Sequence, residues 1–83
     1  MKLLYFAWIR ERIGRPGETL ELPAAIVTVA DLVAWLRERG PEYGEAFAKP
    51  DLVRVAINQT HVKPNAPIAG AREIAFFPPV TGG

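Results

Sequence analysis

Near the start of the chain the apolar positions run almost without a break, with Leu3, Leu4, Tyr5, Phe6, Ala7, Trp8 and Ile9 following Lys2. Such a run predicts a strand from Lys2 to Ile9, central in its sheet and covered on both faces. Gly14, Pro16 and Gly17 then mark a turn. Beyond it Glu18-Thr19-Leu20-Glu21-Leu22 alternates, which predicts the second strand of a hairpin. That alternation puts Leu20 and Leu22 on the core face and Glu18 and Glu21 near water. Pro23 ends the strand. The period then changes to helical: Val29, Leu32, Val33 and Leu36 share one stripe, while Arg37, Glu38 and Arg39 face out. Thr28 and Asp31 stand three apart at its start in the spacing of a capping box. Gly40-Pro41 stops it, and a weaker helical segment continues the chain from Pro41 to about Ala48.

Leu52 to Ile57 predicts a third strand, with Asn58-Gln59 as its turn and His61-Val62 as a short fourth. After a Pro64–Gly70 loop, Glu73-Ile74-Ala75-Phe76-Phe77 forms the last strand, ended by Pro78. The fold class is therefore α+β. Two hairpin strands, a helical crossover and further strands suggest one mixed sheet packed against one main helix, the β-grasp arrangement. A small split α+β sandwich satisfies the same order. The expected organisation is one domain over residues 1–77 and an extended tail over 78–83.

Composition narrows the function. With 83 residues, 49% of them apolar, there is material for one core. Ten basic residues are scattered among nine acids for a net charge of +1, so no electrostatic footprint for nucleic acid or an anionic membrane is expected. No apolar stretch approaches the roughly 20 residues of a membrane span, and the expected location is the cytoplasm. Cysteine and serine are both missing, which removes disulfides, thiolate metal sites and the usual hydrolase nucleophiles. His61 is the only histidine, so no two-histidine metal site is expected, and a lone histidine beside a turn is ordinarily a surface residue. Neither GxGxxG nor GxxxxGK[ST] occurs, so nothing predicts a phosphate cradle. The body of the chain lacks the equipment of an enzyme.

The end of the chain is where chemistry is expected. Pro78-Pro79 cannot donate backbone hydrogen bonds and favours an extended path, pushing the last residues away from the sheet. Val80 and Thr81 have little apolar mass to pack back. Gly82 and Gly83 make a thread without side chains, able to enter a narrow channel and adopt any backbone angle there. Six residues at about 3.3 Å each reach on the order of 20 Å. A frayed terminus or an appended glycine pair would read the same on the dipeptide alone.

The longer string decides between these. Phe76-Phe77-Pro78-Pro79-Val80-Thr81-Gly82-Gly83 resembles the C-terminus of the molybdopterin synthase small subunits, a family of ubiquitin-like sulfur carriers. Tyr5-Phe6-Ala7 followed by Arg10-Glu11, Val55-Ala56-Ile57-Asn58-Gln59-Thr60 and Gly70-Ala71-Arg72-Glu73-Ile74-Ala75 extend the resemblance over essentially the whole chain. The departure is Ala71-Arg72, where the family often has an acidic turn. The resemblance implies that a ubiquitin-activating-type adenylyltransferase uses ATP to activate the terminal glycine, here Gly83, and that sulfur then replaces AMP. It implies a second partner, the molybdopterin synthase large subunit, into which the Pro78–Gly83 tail inserts. There the thiocarboxylate attacks cyclic pyranopterin monophosphate and, in two transfers, builds a dithiolene. No cofactor is expected on this chain itself. Phe6 and Phe77 are the implied apolar contacts for the partner, with Arg10 and His61 nearby. A core role competes for both phenylalanines. Since Phe76 and Phe77 are neighbours on a strand they must point to opposite faces, one to the core and one to a partner. Carriers for thiazole synthesis or tRNA thiolation, and ubiquitin-like protein modifiers, share the diglycine end.

Overall fold

The computed structural model describes residues 1–79. The expectations for Val80, Thr81, Gly82 and Gly83 lie outside the described residues. Five strands form one sheet: β1 (Lys2–Tyr5), β2 (Gly17–Thr19), β3 (Arg54–Ile57), β4 (Thr60–Val62) and β5 (Glu73–Phe77). Their spatial order is β2-β1-β5-β3-β4, with β1 and β5 parallel and the other pairs antiparallel. The helices are α1 (Ala7–Ile13), α2 (Val29–Arg37) and α3 (Pro41–Ala46), with a 3₁₀ turn at Pro50–Leu52. A mixed sheet whose first and last strands lie side by side in parallel, crossed by one principal helix, is the β-grasp fold.

The first strand is shorter than the apolar run predicts. It ends at Tyr5, Phe6 stays extended, and Ala7 takes a positive φ of 53° that turns the chain into α1. Ile9 and Ile13, four apart, are both buried, as the stripe of a short helix requires. Trp8 and Arg12 form a second four-residue pair, the guanidinium 5.3 Å from the indole centre. A continuous apolar run cannot separate strand from buried helix, and here the registry of β5 decides. Tyr5 pairs with Phe76, next to the end of β5, so a longer β1 would lack a partner on that side. Nor is β1 covered on both faces: Leu3 and Tyr5 are buried, Leu4 is half-buried and Lys2 exposed. Gly14 closes α1 in the left-handed region, φ 90°, its N–H donating to the Arg10 carbonyl at 2.8 Å.

The helical expectations hold closely. Thr28 Oγ1 accepts from the Asp31 N–H at 3.2 Å, and the Asp31 carboxylate accepts from the Thr28 N–H at 3.0 Å, completing the capping box. These bonds hold the Asp31 carboxyl below the usual range. Val29, Leu32 and Leu36 are buried beneath α2, whereas Trp8 and Trp35 sit at the core margin. Opposite them the sheet contributes Leu3, Tyr5, Val55, Ile74 and Phe76. Phe76 stacks on Tyr5 (centroids 6.0 Å apart) and meets the edge of Phe47 at 5.2 Å. At the far hairpin Asn58 and Gln59 both have positive φ, 49° and 71°, the signature of a type I′ turn.

Glu18 departs from expectation. The hairpin partner stops at Thr19, with Leu20 and Leu22 only half-buried against the core. The Glu18 side chain, expected near water, is only 8% exposed. One carboxylate oxygen accepts from the hydroxyls of Tyr5 at 2.7 Å and Tyr43 at 2.6 Å. The other faces Arg15 at 3.1 Å and Arg39 at 3.5 Å. Arg39 itself lies over the rings of Trp35 and Tyr43. The knot ties β1, β2, α3 and the residues just past α2 together, and its members come from three stretches of sequence, at Tyr5, at Arg15 and Glu18, and at Arg39 and Tyr43.

Burial alone would raise the Glu18 carboxyl, but the bonds from Tyr43 and Tyr5 and the two guanidinium groups outweigh it and hold it below the ordinary 4.5. A depressed folded-state value stabilises the fold above the unfolded pKa, and that contribution is lost as pH falls below about 4.5 and through the folded value. The chain should therefore lose urea stability as pH falls below about 4.5. Glu18→Gln should flatten that loss while lowering stability at neutral pH by about 1–3 kcal/mol, since two tyrosine hydroxyls and Arg39 keep only a neutral partner. Parallel pH profiles for the two proteins would contradict the assignment.

Candidate docking face and tail root

One face of the sheet is covered by helices; the other is open. Residues paired across strands share a face, so the register defines the open one. Leu4 lies beside Ala75, which pairs with Ala56, which in turn pairs with His61. Arg54 pairs with Phe77, and Lys2 with Glu73. Sequence reasoning missed this open face except at Phe77 and His61. Its signal was the period-two set Glu73, Ala75 and Phe77, which becomes a surface only once the neighbours of β5 are known.

The two adjacent phenylalanines are separated as a strand demands. Phe76 is fully buried, so the outward-facing member is Phe77, half-buried on the open side with its ring centre 5.1 Å from that of His61. Phe6 is 46% exposed. Its N–H donates to the Phe76 carbonyl at 3.0 Å, which holds it at the end of β5. Arg10 is exposed on α1, and its N–H reaches back to the Phe6 carbonyl at 3.4 Å. Phe77 and His61 thus touch, Phe6 is fixed beside the last residues of β5, and Arg10 stands one helical turn further on. Pro78 and Pro79 continue from β5 outside any strand and are half-buried. Gly83, Gly82, Thr81 and Val80 lie outside the described residues.

Phe6 and Phe77, with the His61 imidazole against Phe77, make an apolar patch beside the end of β5. Among the described residues no group of three His, Asp or Glu side chains is placed to hold a metal. No helix among them is long and apolar enough to cross a membrane. A hollow of about 220 Å³ between α2 and β3 is lined by Val29, Val33, Phe47, Val53 and Val55, with Arg37 its one charged group. It offers no pair of groups for acid–base or nucleophilic work.

Residues 3–83 match the ThiS family. The chain belongs to that family. It is 37% identical to a molybdopterin synthase sulfur carrier subunit of Haemophilus influenzae, covering all of this chain and 99% of that one. The corresponding figures for the Escherichia coli protein of the same name are 36%, all and 99%. Among solved structures, small archaeal modifier protein 1 of Haloferax volcanii superposes with a TM-score of 0.75 at 25% identity, over 96% of this chain and 97% of that one. The ThiS-family membership and this likeness agree with the β-grasp reading of the sheet order.

Proposed function

We propose that this ThiS-family chain is the sulfur-carrying small subunit of a molybdopterin synthase. The observation that carries the reading is its full-length similarity, at 37% and 36% identity, to two molybdopterin synthase sulfur carrier subunits. The open face supports it, because an exposed apolar patch at the root of a tail is what a protein that inserts that tail into a partner requires.

The chemistry starts from the weakness of a carboxylate as an electrophile. Its charge is delocalised, and its oxygen leaves badly. An adenylyltransferase of the ubiquitin-activating type lets the Gly83 carboxylate attack the α-phosphorus of ATP, expelling pyrophosphate and leaving an acyl adenylate. A sulfur donor displaces AMP from the acyl carbon and leaves a thiocarboxylate. The tail of Pro78, Pro79, Val80, Thr81 and Gly82 then threads into the large subunit. There the thiocarboxylate sulfur attacks cyclic pyranopterin monophosphate, and water returns Gly83 to the carboxylate. Two rounds build the dithiolene. This chain supplies reach, docking contacts through Phe6, Phe77, Arg10 and His61, and the reacting atom. The partners supply nucleotide binding and transition-state stabilisation.

Intact mass after incubation with the activating enzyme, ATP and a sulfur donor tests the proposal. Exchange of one oxygen for one sulfur at the C-terminus is expected, and an unchanged mass overturns it. A second reading, a ubiquitin-like protein modifier, draws on the likeness to small archaeal modifier protein 1. It predicts covalent adducts on lysines of other proteins where the first predicts the thiocarboxylate.

A further inference from the structure

The open face is electrically lopsided. Its acid, Glu73, lies at the end remote from the tail, in register with Lys2. Four residues of strand, about 13 Å at 3.3 Å per residue, separate Glu73 from Phe77. At the tail end Arg54 stands in register with Phe77, exposed, on the strand flanking β5. A guanidinium offers five N–H donors. Arg54 uses one, in a long 3.4 Å contact with the Asp51 carbonyl. The ion pairs among the described residues are those of Glu18, which is half-buried in the knot beneath the helices and faces Arg15 and Arg39 instead. The apolar patch of Phe77 is thus bordered by a cation whose planar fork is matched by no carboxylate among the described residues. Open-face neighbours cannot supply one, because Ala56, Ala75, Leu4 and His61 carry none.

We infer that Arg54 is a specificity-determining contact for the tail-receiving large subunit, whose surface places a carboxylate against the guanidinium beside an apolar seat for Phe77. The inference rests on the sulfur-carrier reading, in which that subunit covers the root of the tail. Any protein that swallows the tail must sit on the ground around Phe77, so Arg54 is desolvated on docking. A desolvated guanidinium without a counter-charge opposes binding, and one met in a bidentate pair fixes the register of the docked strand end. Register matters here, since a slip of one residue moves the reacting carbon by about 3.3 Å. Arg54 is a positioning residue and touches no reacting atom.

The test is the dissociation constant of the full chain for the large subunit, measured for four variants at two ionic strengths. At about 0.1 M salt, where charges are screened over about 10 Å, Arg54→Glu should weaken binding tenfold or more and Arg54→Gln by a smaller factor. Arg54→Lys, which keeps the charge but loses the planar fork, should weaken binding by less than Arg54→Gln without restoring the affinity of the unsubstituted chain. Arg72→Glu makes the same charge change at an exposed residue just before β5, beside Glu73 and remote from Phe77, and should stay within about twofold. At about 1 M salt a substantial part of the Arg54→Glu penalty should persist, because a pair desolvated on docking is screened much less than exposed charges are. Equal effects at positions 54 and 72, or an Arg54→Glu penalty that disappears entirely at high salt, overturn the inference and leave the sulfur-carrier reading standing. Failure of the unsubstituted chain to bind the large subunit at all overturns the reading itself. A circular dichroism melt of each variant separates misfolding from lost recognition, and Arg54→Gln carries the test if the charge reversal unfolds the domain.

Discussion

Deleting Gly83, or adding a single residue after it, is expected to abolish sulfur loading and transfer while leaving the melting temperature of the domain unchanged. The two halves of this result have separate causes. The core is built from Leu3 through Phe76, with both ends of that span locked into the sheet, so stability is decided before the tail begins. Reactivity is decided at one carbon. Removing one residue retracts the carboxylate by about 3.3 Å, and a misplacement of about 1 Å at a reacting centre already costs on the order of 100-fold. Adding a residue is as damaging for a different reason, because the Gly83 carbonyl becomes an amide and the new carboxylate overshoots. Thiocarboxylate formation followed by intact mass, and dithiolene formation followed with the large subunit present, should both fall by at least about 100-fold. Loading that survives either change would remove the terminal carboxylate from the mechanism. Replacing Gly82 by Val tests the channel: a β-branched side chain restricts backbone angles and adds width, so adenylation should drop even though the carboxylate keeps its position.

How far this was legible beforehand depends on whether the deciding interactions are local. The capping box at Thr28 and Asp31, the turn at Asn58-Gln59 and the bounds of β5 were readable because each is settled within a few residues. The end of β1 was not. Leu3 through Ile9 is apolar throughout, and only pairing with β5, some 70 residues away, tells the chain to stop at Tyr5. The four-residue spacing of Ile9 and Ile13 was the available hint. Glu18 was misread for a related reason: alternation says which way a side chain points, not what waits there, and its partner Tyr43 is 25 residues on. In the docking face the opposite orientation of Phe76 and Phe77 came from strand parity. Which of them faced out needed the position of α2 and α3 over the sheet. Arg54 carried no motif at all, and its place beside Phe77 is a product of strand order.

That parity leads to the sharpest test of the fold and the docking face together. Phe76→Ala is expected to destabilise the domain by about 3–5 kcal/mol, since it removes a fully buried ring from between Tyr5 and Phe47 at the centre of the sheet. A chain of this size has a total stability of roughly 4–12 kcal/mol. The melting temperature should therefore fall by roughly 15 °C or more, and part of the population should be unfolded at growth temperature. Phe77→Asp, one residue later, should change stability by no more than about 1 kcal/mol, the scale of a strand-surface substitution. It should nevertheless weaken binding to the large subunit by roughly 30-fold or more, as expected for an aromatic anchor replaced by a charge that the partner's apolar seat cannot solvate. Neighbouring residues with opposite phenotypes, one in the melt and one in the binding isotherm, are what an alternating strand between a core and a docking surface must produce. If Phe77→Asp unfolds the domain as Phe76→Ala does, Phe77 belongs to the core, and the face that carries His61 and Arg54 loses its apolar centre.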